Sequence, residues 1–120
     1  MSDLKARTKA FARSVFKFSR NLPRTDEVLV LKRQLLRSSS SVAANYRSAC
    51  RARSRADFVN KLSTVEEEAD ESALWLEMLA DELHDLKQPP KAALPPLLKE
   101  ANELVAIMVA SKKTARGNSD

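Results

Sequence analysis

The five prolines of this 120-residue chain stand at only three places, and its single glycine, Gly117, lies close to the C-terminus. Proline lacks an amide hydrogen and glycine is the most flexible residue, so both interrupt regular structure. Between Pro23, Pro89-Pro90 and Pro95-Pro96, apolar residues recur every three or four positions, which is the helical period. The sequence therefore predicts a chain that is helical nearly throughout.

Four helices follow from these interruptions and from helix-start motifs. Thr25, followed by two acidic residues, is a typical N-cap, and Ser54 with Asp57 forms a Ser-x-x-acid capping box. The predicted helices cover residues 3–20, 25–51, 55–86 and 96–113, with short connections. This layout predicts an all-α, antiparallel up-and-down four-helix bundle over residues 1–113. Residues 114–120 are expected to form a disordered tail.

The second predicted helix is apolar over a wider arc than a bundle of four helices requires. Beside its core stripe it carries a second stripe at seven-residue spacing, formed by Leu29, Leu36, Ala43 and Cys50. One apolar face of about 100° is enough to pack a helix into a lone bundle. Part of the second stripe is therefore predicted to contact another chain, with Cys50 as a small buried packing residue.

Residues 38–41 are four consecutive serines in the middle of this helix. No glycine or proline accompanies them, and the apolar period continues through them, so they are predicted to be helical. Their small size is expected to let a neighbouring helix or a ligand approach closely.

Charge is distributed unevenly along the chain. Residues 1–61 carry a net charge of +11, residues 62–86 a net charge of −9, and residues 87–120 a net charge of +3. The middle segment contains nine carboxylates and no lysine or arginine. Such asymmetry suggests complementary faces, either within one bundle or between copies of the chain.

Arginines of the second helix form a row on one helical stripe, and two more arginines follow it. The row comprises Arg33, Arg37, Ser40, Ala44, Arg47 and Arg51, and it is continued by Arg53 and Arg55. The planar guanidinium fork can hold two phosphate oxygens. One interpretation is therefore a nucleic-acid-binding surface, whose binding would be electrostatic and tolerant of base sequence.

The alternative is that these arginines form ion pairs with an acidic row of the third helix, in the same subunit or in the next, or meet only solvent counterions. That row comprises Glu66, Asp70, Glu77 and Asp81. The two interpretations can also be combined. In that case Arg37 is expected to form a structural pair, and Arg47, Arg51, Arg53 and Arg55 are expected to form an exposed patch.

Catalytic, metal and cofactor chemistry are not indicated. Bundles that bind two iron ions need Glu-x-x-His motifs on two helices, whereas this chain has only one histidine, His84. No zinc-ligand spacing, catalytic base, nucleophile or phosphate-cradling loop is present, so neither enzymatic activity nor a cofactor is expected. Within the arginine row, from residue 33 to residue 55, Tyr46 is the only aromatic residue, and it lies on the core stripe, so base stacking is not expected.

Two further residues are predicted to be structural. Asn45 lies among apolar neighbours and is expected to fix helix register through hydrogen bonds. Trp75 is expected to fill the core or a subunit interface.

Location is indicated by what the sequence lacks. No stretch approaches the roughly 20 apolar residues of a membrane span, and no apolar run suits a secretory signal. A single cysteine cannot form an internal disulfide. The expectation is a soluble cytoplasmic protein without a membrane partner.

A longer pattern runs from residue 35 to residue 79. It begins with an arginine, a run of small residues and then Val-Ala-Ala-Asn-Tyr at residues 42–46. The helix start Ser54-x-x-Asp57-Phe58 follows, and after it a carboxylate-rich stretch leads into Leu74-Trp75-Leu76. This pattern resembles the small bacterial four-helix bundle family first noted as proteins encoded in intervening sequences of large-subunit ribosomal RNA genes. The family often has Glu-Gly where this chain has Ser48-Ala49, which predicts a less sharp bend between the second and third helices.

This resemblance implies a four-helix bundle that assembles into a ring of five subunits. The chain is also distantly similar to the accessory variability determinant proteins of diversity-generating retroelements, which are basic pentameric barrels that bind nucleic acid and associate with a reverse transcriptase. The implied partners are copies of the chain itself, RNA or DNA, and a reverse-transcriptase-like or other protein.

Two hypotheses follow from the residues and the resemblance together. The first is a non-catalytic homo-oligomer that presents a basic surface to RNA or DNA without strong sequence specificity. The second is a scaffold whose arginines serve only ion pairs between subunits or with a protein partner.

Overall fold

The structure is a computed structural model that describes residues 3–117. It contains four helices: α1 (Leu4–Ser19), α2 (Asp26–Ala49), α3 (Arg55–Asp85) and α4 (Leu94–Ala115). No strand occurs between residues 3 and 117, so the predicted all-α class is confirmed. Every predicted helix boundary lies within two residues of the observed one, and α4 continues to Ala115, past the predicted start of the tail. Residues 118–120 of that predicted tail lie outside the described residues.

The helix starts use the predicted caps. Thr25 Oγ1 accepts the amide hydrogen of Val28 at 3.2 Å, and Ser54 Oγ accepts that of Asp57 at 3.0 Å. The carboxylate of Asp57 turns back to accept the amide hydrogen of Arg53 at 3.1 Å. Two prolines occupy the first turn of α4, where a missing amide hydrogen costs nothing.

Each helix packs against two others, and together they form an elongated bundle of about 50 × 23 × 23 Å. α2 lies between α1 and α3, α3 lies between α2 and α4, and a smaller contact between α1 and α4 closes the bundle. Arg7 reinforces this last contact through Glu100 at 2.7 Å and Glu103 at 2.9 Å. None of the helices within residues 3–117 combines the length and apolar content needed to cross a membrane.

Apolar side chains from all four helices fill the centre of the bundle. The fully buried ones include Val15, Val28, Leu35, Val42, Leu62, Val65, Leu76, Leu79, Leu104 and Met108. Burying each of the larger ones stabilises the fold by about 1.5–3 kcal/mol relative to exposure. The bundle thus holds α2 and α3 rigidly, and these two helices carry the charged surface.

Serines allow α2 and α3 to approach closely. The hydroxyl groups of Ser38 and Ser72 are buried and lie 2.8 Å apart across the contact. One of the two hydroxyls donates to the other, and the carbonyls of Leu35 and Glu68 lie within hydrogen-bond distance of Ser38 and Ser72 respectively. The prediction that small residues here admit a neighbouring helix is therefore confirmed.

Candidate nucleic-acid interface

The arginine row lies on the outward face of α2. Its six positions, from Arg33 to Arg51, are all exposed, and so are Arg53 and Arg55. Arg51 and Arg53 follow the end of α2, and Arg55 begins α3. This follows from the bundle geometry, because the opposite face of α2 is committed to the core. The row is therefore accessible. Its arginines differ in whether a carboxylate lies close enough to form an ion pair.

Arg37 is neutralised within the chain. Two of its guanidinium nitrogens donate to the two carboxylate oxygens of Glu68, each at 3.2 Å, and the group also pairs with Glu71. The hydrogen bonds that Arg37 donates to Glu68 raise the pKa of Arg37 above its usual value, so its charge is permanent. Arg37 is thus a structural link between α2 and α3, although its side chain stays half exposed.

Within one subunit, the acids that pair with Arg37 are not those of the predicted row. Glu68 and Glu71 lie on the flank of α3 that faces α2. Glu66 faces α4 instead, where it pairs with Lys112 at 2.7 Å, and Asp70 is exposed. α3 packs between α2 and α4, so one of its flanks faces each of them. The spacing of the acids along α3 does not show which flank faces which helix.

Asn45 extends the link around Arg37. Its side-chain amide donates to the carbonyl of Ser41 at 2.9 Å and to the hydroxyl of Ser41 at 2.8 Å. Ser41 in turn donates to Glu68 at 3.0 Å. The half-buried Asn45 therefore takes part in the network that holds α2 against α3, the kind of role predicted for it.

A cationic hollow lies at the other end of the row, beside the turn between α2 and α3. It has a volume of about 660 Å³ and is lined by Arg47 of α2, Arg51 and Arg53 of the turn and Lys61 of α3, together with Ala44, Ser48 and Asp57. Four cations and one carboxylate leave a formal excess of three positive charges. We refer to this feature as the cationic hollow.

Asp57 is the only carboxylate in the lining of the hollow. The hydrogen bond from the Arg53 amide lowers the pKa of Asp57, and Lys61, 3.5 Å away, adds to this effect. Asp57 therefore stays charged at neutral pH and compensates mainly Lys61. Within residues 3–117, no carboxylate lies within ion-pair distance of Arg33, Arg47, Arg51, Arg53 or Arg55.

Two members of this region differ from the prediction. Arg55 does not line the hollow, because it begins α3 on the other side of the turn, near Cys50 and Phe58. Lys61 lines the hollow but was not predicted as a site residue. Its position one helical turn after the capping-box acid Asp57 would have indicated it, because residues four apart share a helix face.

The predicted packing residues have mixed placements. Leu29, Leu36 and Ala43 are half-buried, but Cys50 is exposed, so its prediction as a buried residue is wrong. Cys50 caps the end of α2, where the chain turns away from the core. Trp75 is half-buried and packs against the core, and its buried indole Nε1 has no hydrogen-bond partner in the described part of the chain.

The lining of the hollow contains no aromatic residue, and Tyr46 next to it is half-buried against the core. The hollow can therefore hold anionic groups through guanidinium and ammonium contacts, but it offers no ring on which a base could stack. Residues 3–117 contain no group of three or more His, Cys, Asp or Glu side chains placed to bind a metal ion.

If the arginine row binds nucleic acid, Arg37→Ala is expected to lower the affinity less than Arg51→Ala does. Arg37 is already paired and lies about 15 Å along α2 from Arg47, which exceeds the Debye length of about 8 Å at physiological salt. Fluorescence anisotropy with a labelled duplex compares the two variants. They are a matched pair, because each replaces one arginine of the same row by alanine. A larger loss for Arg37→Ala would contradict this ranking.

Two comparisons with known proteins give matches that cover most of the chain. The family model described as 23S rRNA-intervening sequence protein matches residues 2–110. A crystal structure of a protein of unknown function from the S23 ribosomal protein family of Bacteroides thetaiotaomicron VPI-5482 is similar, with a TM-score of 0.79 and 29% sequence identity. That similarity covers 91% of this chain and 97% of the other. No functionally curated protein matches the chain.

Proposed function

This chain belongs to the 23S rRNA-intervening sequence protein family, and from that premise we propose that it is a non-catalytic protein that binds the backbone of RNA or DNA through the cationic hollow. The family resemblance drawn from residues 35–79 is confirmed by the match over residues 2–110. The proposal goes further than the family, because it assigns a ligand class to one surface.

The observation that carries the proposal is the unequal neutralisation of the arginine row. Arg37 has two carboxylate partners, whereas Arg47, Arg51 and Arg53 line one concave surface without an ion-pair partner among residues 3–117. A concave surface of like charge concentrates the electrostatic potential and raises the local concentration of anions. A ligand with several closely spaced negative charges can pair with several of these cations at once. A nucleic-acid backbone is such a ligand.

Backbone contacts rather than base contacts fit the chemistry of the hollow. Its lining supplies guanidinium, ammonium and hydroxyl donors, which match phosphate oxygens, and no aromatic ring. Binding is therefore expected to tolerate changes of base sequence and to weaken strongly as salt rises. If Arg47, Arg51 and Arg53, which have no ion-pair partner among residues 3–117, each contact one phosphate, the slope of log K against log salt is about −3 per subunit.

A salt titration with a labelled duplex of arbitrary sequence tests this proposal. Anisotropy measured between about 50 and 200 mM salt is expected to give the slope above, and a second duplex of unrelated sequence is expected to bind equally. Absence of binding at the lowest salt, or affinity that does not depend on salt, would overturn the proposal.

Asp57→Asn is expected to strengthen this binding. The substitution removes the one negative charge in the hollow and frees Lys61 for phosphate, so affinity should rise and the salt slope should steepen by about 1. Asp70→Asn is the matched control, because it makes the same charge change on the exposed face of α3. Equal gains from both variants would mean that only net charge matters, and no gain from Asp57→Asn would argue against the hollow.

Self-association is the second part of the proposal. A homo-oligomer, with the five subunits that the resemblance implies, would bring several cationic hollows onto one particle and raise affinity for a long polyanion through multivalency.

The exposed thiol of Cys50 fits a reducing compartment such as the cytoplasm.

The second candidate function is that of a scaffold. The pairing of Arg37 with Glu68 and Glu71 favours it, because it shows that carboxylates of α3 can take up arginines of α2. Under this alternative, charge reversal in the hollow disrupts the oligomer. Under the proposed function, the oligomer survives and only nucleic-acid binding is lost.

A further inference from the structure

The first helix and the loop after it carry a second cationic surface, separate from the hollow. Residues 4–25 contain seven lysines and arginines and no carboxylate. Within residues 3–117, Arg7 is the only one of these seven that forms an ion pair, with Glu100 and Glu103 of α4. The other six are exposed. This surface therefore holds cations that the described part of the chain does not neutralise.

Four residues of this surface lie on one helical stripe. Lys9, Arg13, Phe16 and Arg20 follow one another at intervals of four, three and four residues, so they share one side of α1. Arg20 caps the helix with helical backbone angles, φ −63° and ψ −29°, and so continues the stripe. The stripe faces away from the core, and it is about 17 Å long at 1.5 Å per residue. We refer to these four residues as the α1 stripe.

The α1 stripe contains an exposed aromatic ring. Phe16 is 42% exposed, whereas Phe11 and Phe18 of the same helix are buried in the core. Arg13 lies three residues before Phe16 and Arg20 four residues after it, and both are exposed neighbours on the helix surface. An accessible ring thus stands between two guanidinium groups, an arrangement that the cationic hollow lacks.

Single-stranded nucleic acid has the chemistry that matches this arrangement. Its unpaired bases can stack on an aromatic ring, and its phosphates can pair with the flanking arginines. The bases of a duplex are stacked on one another, so their faces are not available to Phe16. A protein partner fits less well, because the cores of protein interfaces are depleted in charged residues and in lysine particularly.

We propose that the α1 stripe binds single-stranded RNA or DNA, with a base stacked on Phe16 and neighbouring phosphates held by Arg13 and Arg20. The inference goes beyond the proposed function, because it assigns a different form of nucleic acid to a different helix. No residue of α1 lines the cationic hollow. The protein then has one surface for the backbone and another for unpaired bases, and each can be tested without the other.

Two matched single strands test the proposal. One is a labelled oligodeoxythymidine of about 12 nucleotides, and the other has the same length and charge but lacks the bases. Anisotropy is measured in the Arg47→Glu, Arg51→Glu background, in which two cations of the hollow are reversed. The strand with bases is expected to bind at least about fivefold more tightly, which corresponds to one stacked base. Equal affinity for the two strands, or no binding of either, would overturn the proposal.

Phe16→Leu is expected to abolish this preference. Leucine keeps an apolar side chain at the same exposed position but has no ring, so only the affinity for the strand with bases should fall, at least about fivefold. Phe16→Trp restores a ring and is expected to retain the preference. An unchanged preference in Phe16→Leu would overturn the proposal. So would an equal loss for both strands, because it would show that Phe16 acts through the fold and not through a base.

Arg13→Gln with Arg20→Gln tests the phosphate contacts. For both strands, the slope of log K against log salt is expected to become less steep by about 1.4, since each phosphate contact of a single strand contributes about 0.7. Lys99→Gln with Lys113→Gln is the matched control, because it removes two exposed cations from α4. Equal changes of slope in the two pairs would mean that only net charge matters and would contradict the assignment of the stripe.

Duplex binding separates this inference from the proposed function. In the otherwise unaltered chain, Phe16→Leu is expected to leave duplex affinity unchanged, because the ring lies outside the cationic hollow. An equal loss of duplex and single-strand affinity would overturn the proposed selectivity for unpaired bases. Failure of duplex binding itself would count against the cationic hollow, while the preference for the strand with bases would still decide the assignment of the α1 stripe.

Discussion

Replacing Arg47 and Arg51 together by glutamate is expected to lower the affinity for duplex nucleic acid by at least about tenfold and to reduce the salt slope by about 2. Both side chains line the cationic hollow, and within residues 3–117 neither has a carboxylate partner. Charge reversal therefore removes two phosphate contacts and adds two repulsions. Because both positions are exposed, the substitutions should leave the fold intact, and anisotropy titrations at several salt concentrations measure the effect.

A matched control separates the hollow from net charge. Arg24→Glu with Lys99→Glu makes the same change of charge at two exposed positions away from the hollow. This control is expected to keep most of the affinity, with a slope close to that of the unaltered chain. If both pairs lose affinity equally, binding depends on overall charge, and the assignment of a local site is wrong.

Met108→Ala is expected to lower the free energy of unfolding by about 2–5 kcal/mol. The side chain is fully buried in the core cluster, so truncation loses apolar contacts and leaves a cavity. A single domain is stabilised by only about 5–15 kcal/mol in total. The change therefore corresponds to a fall of roughly 8 °C or more in the thermal midpoint.

Val109→Ala is the control for this prediction, because it removes apolar atoms from the next residue of the same helix. Val109 is 44% exposed, so its truncation is expected to cost less than about 1 kcal/mol. Chemical unfolding at one fixed protein concentration compares the two variants, since self-association would make stability depend on concentration. Similar losses for the two variants would show that the described core packing is wrong at this position.

The fold could be predicted from the sequence because its determinants are local. The caps at Thr25 and Ser54, the prolines at the start of α4 and the unbroken apolar period each act within a few residues. Even the four serines could be placed in a helix, since nothing in the period changed across them. The apolar period does not predict the register between helices. In the structure, the contact of Ser38 with Ser72 defines the register of α2 against α3.

The site could be predicted only in part, because ion pairing depends on which flanks of two helices meet. That the arginines form one row follows from their helical spacing alone, whereas the exposure of the row follows from the packing of the opposite face of α2 into the core. The choice of Glu68 and Glu71 as partners of Arg37, rather than Glu66 and Asp70, follows from the packing of α3 between α2 and α4. Lys61 likewise joins the hollow through packing across the turn, although helical spacing from Asp57 could have suggested it.

Cys50 shows a further limit of helical spacing. It continues the second apolar stripe by sequence, but as the cap of α2 it lies where the chain leaves the core. Periodicity assigns a side of the helix, and the end of the helix decides whether that side still meets a neighbour. The stripe residues Leu29 and Leu36, which lie well inside α2, do keep contact with the core.

Side-chain NMR of the arginine Nε–Hε groups during titration with an unlabelled duplex tests the assignment of the cationic hollow most directly. Arg7 and Arg37 serve as internal controls, because carboxylates already hold their guanidinium groups. Under the proposed function, the resonances of Arg47, Arg51 and Arg53 shift as duplex is added, while those of the two controls do not. Shifts at Arg7 and Arg37 without shifts in the hollow, or no shift at any arginine at low salt, would contradict it.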